Sequence, residues 1–211
     1  NGTYIITEPQ FPITSNIVGT DVLCNGYSTG VADLTVSGGT FPYSYQWSNA
    51  ETTEDINNLI AGTYTVTILD ENGCDTTAAI TLTEPDLLTS AITGTNLLCF
   101  QDNSGTIDLN VNDGTLPYTY AWTGPGGPYT TEDLSGLAIG TYNVTVTDAN
   151  GCITSETITL TELPAIILTD IITDLDCFED GIGSIDIAIV GGISPYSFLW
   201  DNGKTTEDID S

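Results

Sequence analysis

Ser-Gly-Gly-Thr-Phe-Pro-Tyr-Ser-Tyr-Gln-Trp, residues 37–47, places Tyr43, Tyr45 and Trp47 at alternate positions, so an extended strand carries all three on one face. The same pattern returns as Leu-Pro-Tyr-Thr-Tyr-Ala-Trp (116–122) and Ser-Pro-Tyr-Ser-Phe-Leu-Trp (194–200). Trp47, Trp122 and Trp200 are separated by 75 and 78 residues, and Cys24, Cys99 and Cys177 show the same two spacings. A period near 76 is too long for one turn of a solenoid and suits a row of small domains, each with its own core.

Other segments keep the register. Thr-Thr-Glu-Asp stands at 52–55, 130–133 and 205–208, and Gly-Thr-Tyr-Thr-Val-Thr-Ile (62–68) matches Gly-Thr-Tyr-Asn-Val-Thr-Val (140–146). Each of the last two runs on to Asn-Gly-Cys, ending at Cys74 and Cys152, and Thr-Glu-Pro at 7–9 and 83–85 is echoed by Thr-Glu-Leu-Pro at 161–164. The expected division is 1–10 as the last strand of one repeat, 11–86 and 87–164 as complete repeats, and 165–211 as the first part of another.

Within a repeat the polarity alternates at the period of a half-buried strand. Ala32, Leu34 and Val36 share a parity with Ile107, Leu109 and Val111 and with Ile185, Ile187 and Ile189. Tyr64, Val66 and Ile68 predict a further strand, Asn72-Gly73 a hairpin turn, and Ile80 and Leu82 the returning strand. Short strands, a central Trp and no helical period predict an all-β fold: small immunoglobulin-like β-sandwiches in tandem, with a tyrosine corner at Leu59 to Tyr64.

Composition removes whole classes of partner. Twenty-nine Asp and Glu face one basic residue, Lys204, for a formal charge of −28, and His and Met are absent. One lysine cannot replace the counterions of nucleic acid or of an anionic membrane, so neither is a partner. Divalent cations are the small ligands such a surface attracts. No apolar run reaches the roughly 20 residues needed to span a bilayer, so no direct membrane insertion is expected. With no histidine, and with each acidic motif recurring once per repeat as structural parts do, the chain does not read as an enzyme.

The cysteines point to an oxidising, extracellular setting. The simplest pairing is Cys24 with Cys74 and Cys99 with Cys152, closing loops of about 50 residues for roughly 4 kcal/mol each. A sandwich places the first cysteine and the Asn-Gly hairpin at opposite poles, which instead favours a bond between repeats such as Cys24 to Cys152. Free thiols are the third option. Cys177 is expected to pair outside the 211 residues.

These segments together resemble the SprB repeats of Bacteroidetes surface proteins, named for a gliding-motility adhesin of flavobacteria. The resemblance rests on Cys-Asn-Gly (24–26), the 37–47 segment, Thr-Thr-Glu-Asp-Ile (52–56) and Ala-Gly-Thr-Tyr-Thr-Val-Thr-Ile-Leu-Asp-Glu-Asn-Gly-Cys (61–74), with their later copies. Two departures stand out: Asn112-Asp113-Gly114 interrupts the Gly-Gly pair, and Thr3 occupies the place of a hairpin cysteine. The resemblance implies a large cell-surface adhesin exported by type IX secretion. Its implied partners are neighbouring repeats, surface polysaccharide, or outer-membrane gliding and secretion components.

The expected function is therefore a stalk segment of an adhesin filament. The alternatives are a repeated carbohydrate- or calcium-binding module and a spacer within a larger secreted enzyme. Calcium, the one cofactor considered, would use Asp70, Glu71 and Asn72 or Asp148 and Asn150, which gather hard oxygens at a turn. The competing reading of those residues is a hairpin in which Asp caps the strand end. A second acidic group, Asp174, Asp176, Glu179 and Asp180, flanks Cys177. Tyr43, Tyr45 and Trp47 could stack on sugar rings, but their parity and repetition make them core residues.

Overall fold

The computed structural model describes residues 11–174 and 183–210. Thr3, Asp176, Cys177, Glu179 and Asp180 lie outside them. The first repeat forms six strands: β1 (Thr14–Thr20), β2 (Gly30–Ser37), β3 (Ser44–Trp47), β4 (Ile56–Leu59), β5 (Gly62–Leu69) and β6 (Asp75–Leu82). They make two antiparallel sheets, ordered β1-β2-β4 and β3-β5-β6. That is the A-B-E and C-F-G order of an immunoglobulin-like sandwich. The second repeat repeats it with β7 (Thr89–Thr95), β8 (Gly105–Asn112), β9 (Thr119–Thr123), β10 (Leu134–Leu137), β11 (Gly140–Thr147) and β12 (Ile153–Leu160), in the orders β10-β8-β7 and β12-β11-β9. In the third, β13 (Ile167–Thr173), β14 (Ser184–Val190) and β15 (Ile209–Asp210) form one sheet.

The alternation read in the sequence is the burial pattern of the strands. Ala32 and Leu34 of β2 are buried while Asp33 and Thr35 are exposed, and Ile107 and Leu109 of β8 repeat this. Trp47 is 2% exposed and Trp122 1%. Around Trp47 pack Leu34, Ile56, Leu59, Val66, Ile68 and Leu82, with Tyr43 and Tyr45 half-buried against them. The aromatic triplet is therefore core and not a sugar platform.

Each recurrent motif has a structural task. The indole N–H of Trp47 donates to the carbonyl of Thr53 at 2.9 Å, that of Trp122 to Thr131 at 2.8 Å, and that of Trp200 to Thr206 at 2.9 Å. The Asp of each Thr-Thr-Glu-Asp accepts a strand N–H: Asp55 from Leu34, Asp133 from Leu109, Asp208 from Ile187. The Tyr of each Pro-Tyr donates its hydroxyl to the turn before it, Tyr43 to Gly38, Tyr118 to Asp113 and Tyr196 to Gly191. The peptide bonds before Pro42, Pro117 and Pro195 are cis. Asp113 takes the left-handed φ of 61° that Gly38 takes at 79°, which is how the second repeat does without the first glycine of the pair. Tyr64 donates to Ile60 at 3.0 Å and Tyr142 to Ala138 at 2.9 Å, closing a tyrosine corner in each complete repeat.

The chain divides into two compact units. One comprises the described residues of Asn1–Ser90 with Val111–Thr119 and Val146–Thr154, so it holds the whole first sandwich together with the turn and hairpin of the next repeat. The other comprises Ala91–Asn110, Tyr120–Thr145 and the described residues of Ser155–Ser211.

The pairing of cysteines within a repeat is overturned. Cys24 is bonded to Cys152, with 5.6 Å between their Cα atoms, and Cys74 and Cys99 are exposed thiols. The reason lies in the register. Thr20 pairs with Val31 at the pole that carries Cys24, and Thr14 pairs with Ser37 at the other. Cys74 closes the β5–β6 hairpin beside Thr40, at that second pole. The length of β1 separates the two, about 20 Å at 3.3 Å per residue, whereas a disulfide needs Cα atoms within roughly 7 Å.

Candidate functional site

The feature that the motifs assemble, beyond the sandwiches themselves, is the junction at Cys24 and Cys152, which lies within the first compact unit. Its two halves are built differently. Cys24 sits in a loop between β1 and β2. The backbone N–H of Leu23 donates to the Thr29 hydroxyl at 2.8 Å, and that of Gly26 donates to the Glu84 carboxylate at 2.7 Å. Asn25 adds a side-chain bond to Glu84. The Glu of Thr-Glu-Pro thus acts from 58 residues downstream to fix the cysteine loop.

Cys152 sits on the β11–β12 hairpin, which is organised by Asp148. One carboxylate oxygen accepts the N–H groups of Asn150 at 2.9 Å and Cys152 at 2.8 Å, and the other accepts that of Thr115 at 2.9 Å. Asp148 is only 5% exposed, and three N–H donors are what let a carboxylate stay there. Asn150 then reaches across the junction, its Nδ2 donating to the carbonyl of Leu23 at 2.9 Å and to the Thr115 hydroxyl at 3.0 Å. Cys24 and Cys152 are buried with Leu88, against Val111 and Tyr118. The space left beside the bond is about 50 Å³.

The residues considered for calcium fall on these hairpins. Asp70, also 5% exposed, accepts N–H groups from Asn72 at 3.0 Å, Cys74 at 2.9 Å and Thr40 at 3.0 Å, matching Asp148 bond for bond. The carboxylate oxygens of both aspartates therefore already hold backbone donors. Glu71 is exposed, and Asn72 and Asn150 bond to Thr40 and Thr115. Among the described residues no group of three or more acidic, Cys or His side chains is arranged to hold a metal. The parts that Glu84 and Asn150 play in the junction did not show in the sequence. Their signal was the recurrence of Thr-Glu with Asn-Gly-Cys, but recurrence does not tell which copies meet.

The SprB repeat family matches the chain at residues 16–52, 91–127 and 169–205, together more than half its length. The chain belongs to the SprB repeat family. Each matched segment of these SprB repeats runs from the first strand through the tryptophan, and SprB repeats belong to cell-surface proteins. No curated protein matches the chain. Among solved structures it is similar to a Dscam fragment described for isoform specificity, at 13% identity over 71% of this chain and 46% of that one, with a TM-score of 0.32. It is also similar to the N-terminal eight Ig domains of DSCAM isoform 1.30.30, at 12% over 72% and 25%, TM-score 0.37. Murine CEACAM1b gives 14% over 71% and 100%, TM-score 0.31. The SprB chain thus spans less than half the length of the first two. Its immunoglobulin-like character rests on its own strand orders and tyrosine corners. Among the described residues no helix is long and apolar enough to cross a membrane.

Proposed function

We propose that this chain is a load-bearing, non-catalytic stalk segment of a large secreted cell-surface adhesin, exported by type IX secretion and serving gliding or adhesion. The observation that carries the reading is the Cys24–Cys152 bond, which joins consecutive repeats across 128 residues of sequence. A staple inside one domain protects that domain alone. A staple between repeats makes tension bypass everything from Asn25 to Gly151, a stretch that contains both Trp47 and Trp122. The loop-closure term for a bridge this long is about 5 kcal/mol.

Surface chemistry supports the same reading. A formal charge of −28 discourages collapse and aggregation of a repeated chain, and a single Lys204 offers trypsin-like proteases one site. Among the described residues, Asp55, Asp70, Glu84 and Asp148 of the recurrent acidic motifs are held by backbone N–H groups of a strand, a turn or the junction, as structural parts are.

Pulling single molecules by their ends tests this. Adding reductant is expected to lengthen the fully extended chain by about 45 nm, the contour of the bypassed residues at roughly 3.5 Å each. Equal contour lengths with and without reductant would contradict the proposal.

A further inference from the structure

We infer that the Cys24–Cys152 junction is one rung of a staggered series, and that Cys99 opens a cleft built to receive and disulfide-bond the Asp-x-Asn-Gly-Cys hairpin of a following SprB repeat. The inference rests on the observed junction and not on the mechanical reading, so it stands whether or not the row bears load.

Three observations carry it. First, the loop of Cys99 duplicates that of Cys24. Leu98 N–H donates to the Ser104 hydroxyl at 2.8 Å where Leu23 uses Thr29, and Gln101 N–H donates to Glu162 at 2.8 Å where Gly26 uses Glu84. Second, the inserting half is a fixed part. The Asp70 and Asp148 hairpins share the same three N–H bonds to the carboxylate and the same asparagine bond to a threonine hydroxyl. Cys74 thus already has the geometry of an inserting cysteine, for a loop of the Cys24 type in a preceding repeat.

Third, the space is there. A cleft of about 530 Å³ lies beside Cys99, lined by Leu98, Phe100, Ala165, Ile166, Gly192 and Ile193. Ala165 and Ile166 take the register places of Leu87 and Leu88, which line the first junction, and Ile193 takes that of Thr115, on which the Cys152 hairpin rests. At the first junction, where Asp148, Cys152 and Ile153 occupy the corresponding position, only about 50 Å³ remains. The open cleft is apolar, as the first junction is around Leu88, so the hairpin would bury surface as well as a thiol.

The chemistry balances as an exchange. The two thiols lose two protons and together two electrons as the S–S bond forms, and an oxidised disulfide donor, glutathione disulfide in the test, takes them up and leaves as two thiols.

The test extends the whole chain past Ser211 with a copy of residues 137–164, which supplies the hairpin, and refolds it in a glutathione redox buffer. Non-reducing peptide mapping is expected to find Cys99 bonded to the appended cysteine, with Cys24–Cys152 kept and Cys74 alkylated. A bond between the appended cysteine and Cys177, or both left as thiols, would overturn the inference. A second measurement does not depend on folding of the extension. A peptide copying residues 143–157, its cysteine activated with thionitrobenzoate, is offered to the unmodified chain. Capture at Cys99 is expected to exceed capture at Cys74 by at least tenfold, and equal capture at the two thiols would overturn the inference.

Discussion

Asp148 shows how much of the junction rests on one side chain. Its carboxylate holds three backbone N–H groups, two in the hairpin and one from Thr115, 33 residues upstream. Asp148→Ala would leave these donors without an acceptor in a buried site, and chemical denaturation should register a loss of about 3 kcal/mol. Millimolar calcium should leave the melting temperature of the parent chain unchanged, because both carboxylate oxygens are engaged; a rise would return these aspartates to the list of calcium ligands. The sequence displayed acid at a turn, which fits a cap and a cation site equally well. What separates them is the N–H of Thr115, a distant residue with no local mark. Tyr45 gives a second residue-scale test. Burial, reinforced by the neighbouring Glu54 carboxylate, pushes its phenol from 10.0 up to about 12. The folded state therefore holds this proton where the unfolded chain releases it. The associated stability is fully present below pH 10 and is lost as pH rises through about 12. Urea midpoints measured across that window should fall less steeply in Tyr45→Phe than in the parent; identical slopes would rule out Tyr45 as the source.

Strands with a buried face announced themselves, and strands without one did not. β2, β5 and the aromatic β3 carry alternating apolar residues, and their positions follow from the sequence directly. β1 was not legible, because only Ser15 and Ile17 are even partly covered along its length. Its close packing is visible in the fold instead: a Cβ on Gly19 would stand 2.8 Å from Leu82, so the residue there must be small. β4 is four residues long and contains Asn58 at a left-handed φ of 57°, a conformation that interrupts any periodic pattern. The tyrosine corners were legible because Gly-Thr-Tyr recurs at the start of the β5 and β11 strands. Tyr142→Phe removes the bond to Ala138 and should cost about 1 kcal/mol, whereas Trp122→Ala empties the core and should cost about 3 to 5 kcal/mol. Thermal melts that rank the two substitutions the other way would contradict the assignment of the tryptophan as the centre of each sandwich.

At the scale of the whole molecule, repetition displayed the repeating motifs and concealed which copies connect. Every complete repeat offers one loop cysteine and one hairpin cysteine, so the spacing alone fits pairing within a repeat as well as between repeats. Only the antiparallel register of β1 with β2, which sends the loop and the hairpin to opposite poles, decides between them. The proposed stalk role takes its support from that covalent step, and so does the series inferred for Cys99. Disulfide mapping of the oxidised chain therefore tests the account most directly. Cleavage after glutamate, with Glu8 shielded by Pro9 and Glu84 by Pro85, separates residues 1–51, 72–132 and 133–156. The account predicts a disulfide-linked product of 1–51 with 133–156, carrying Cys24 and Cys152, and a separate 72–132 peptide with alkylated Cys74 and Cys99. A single product joining all three peptides would contradict it.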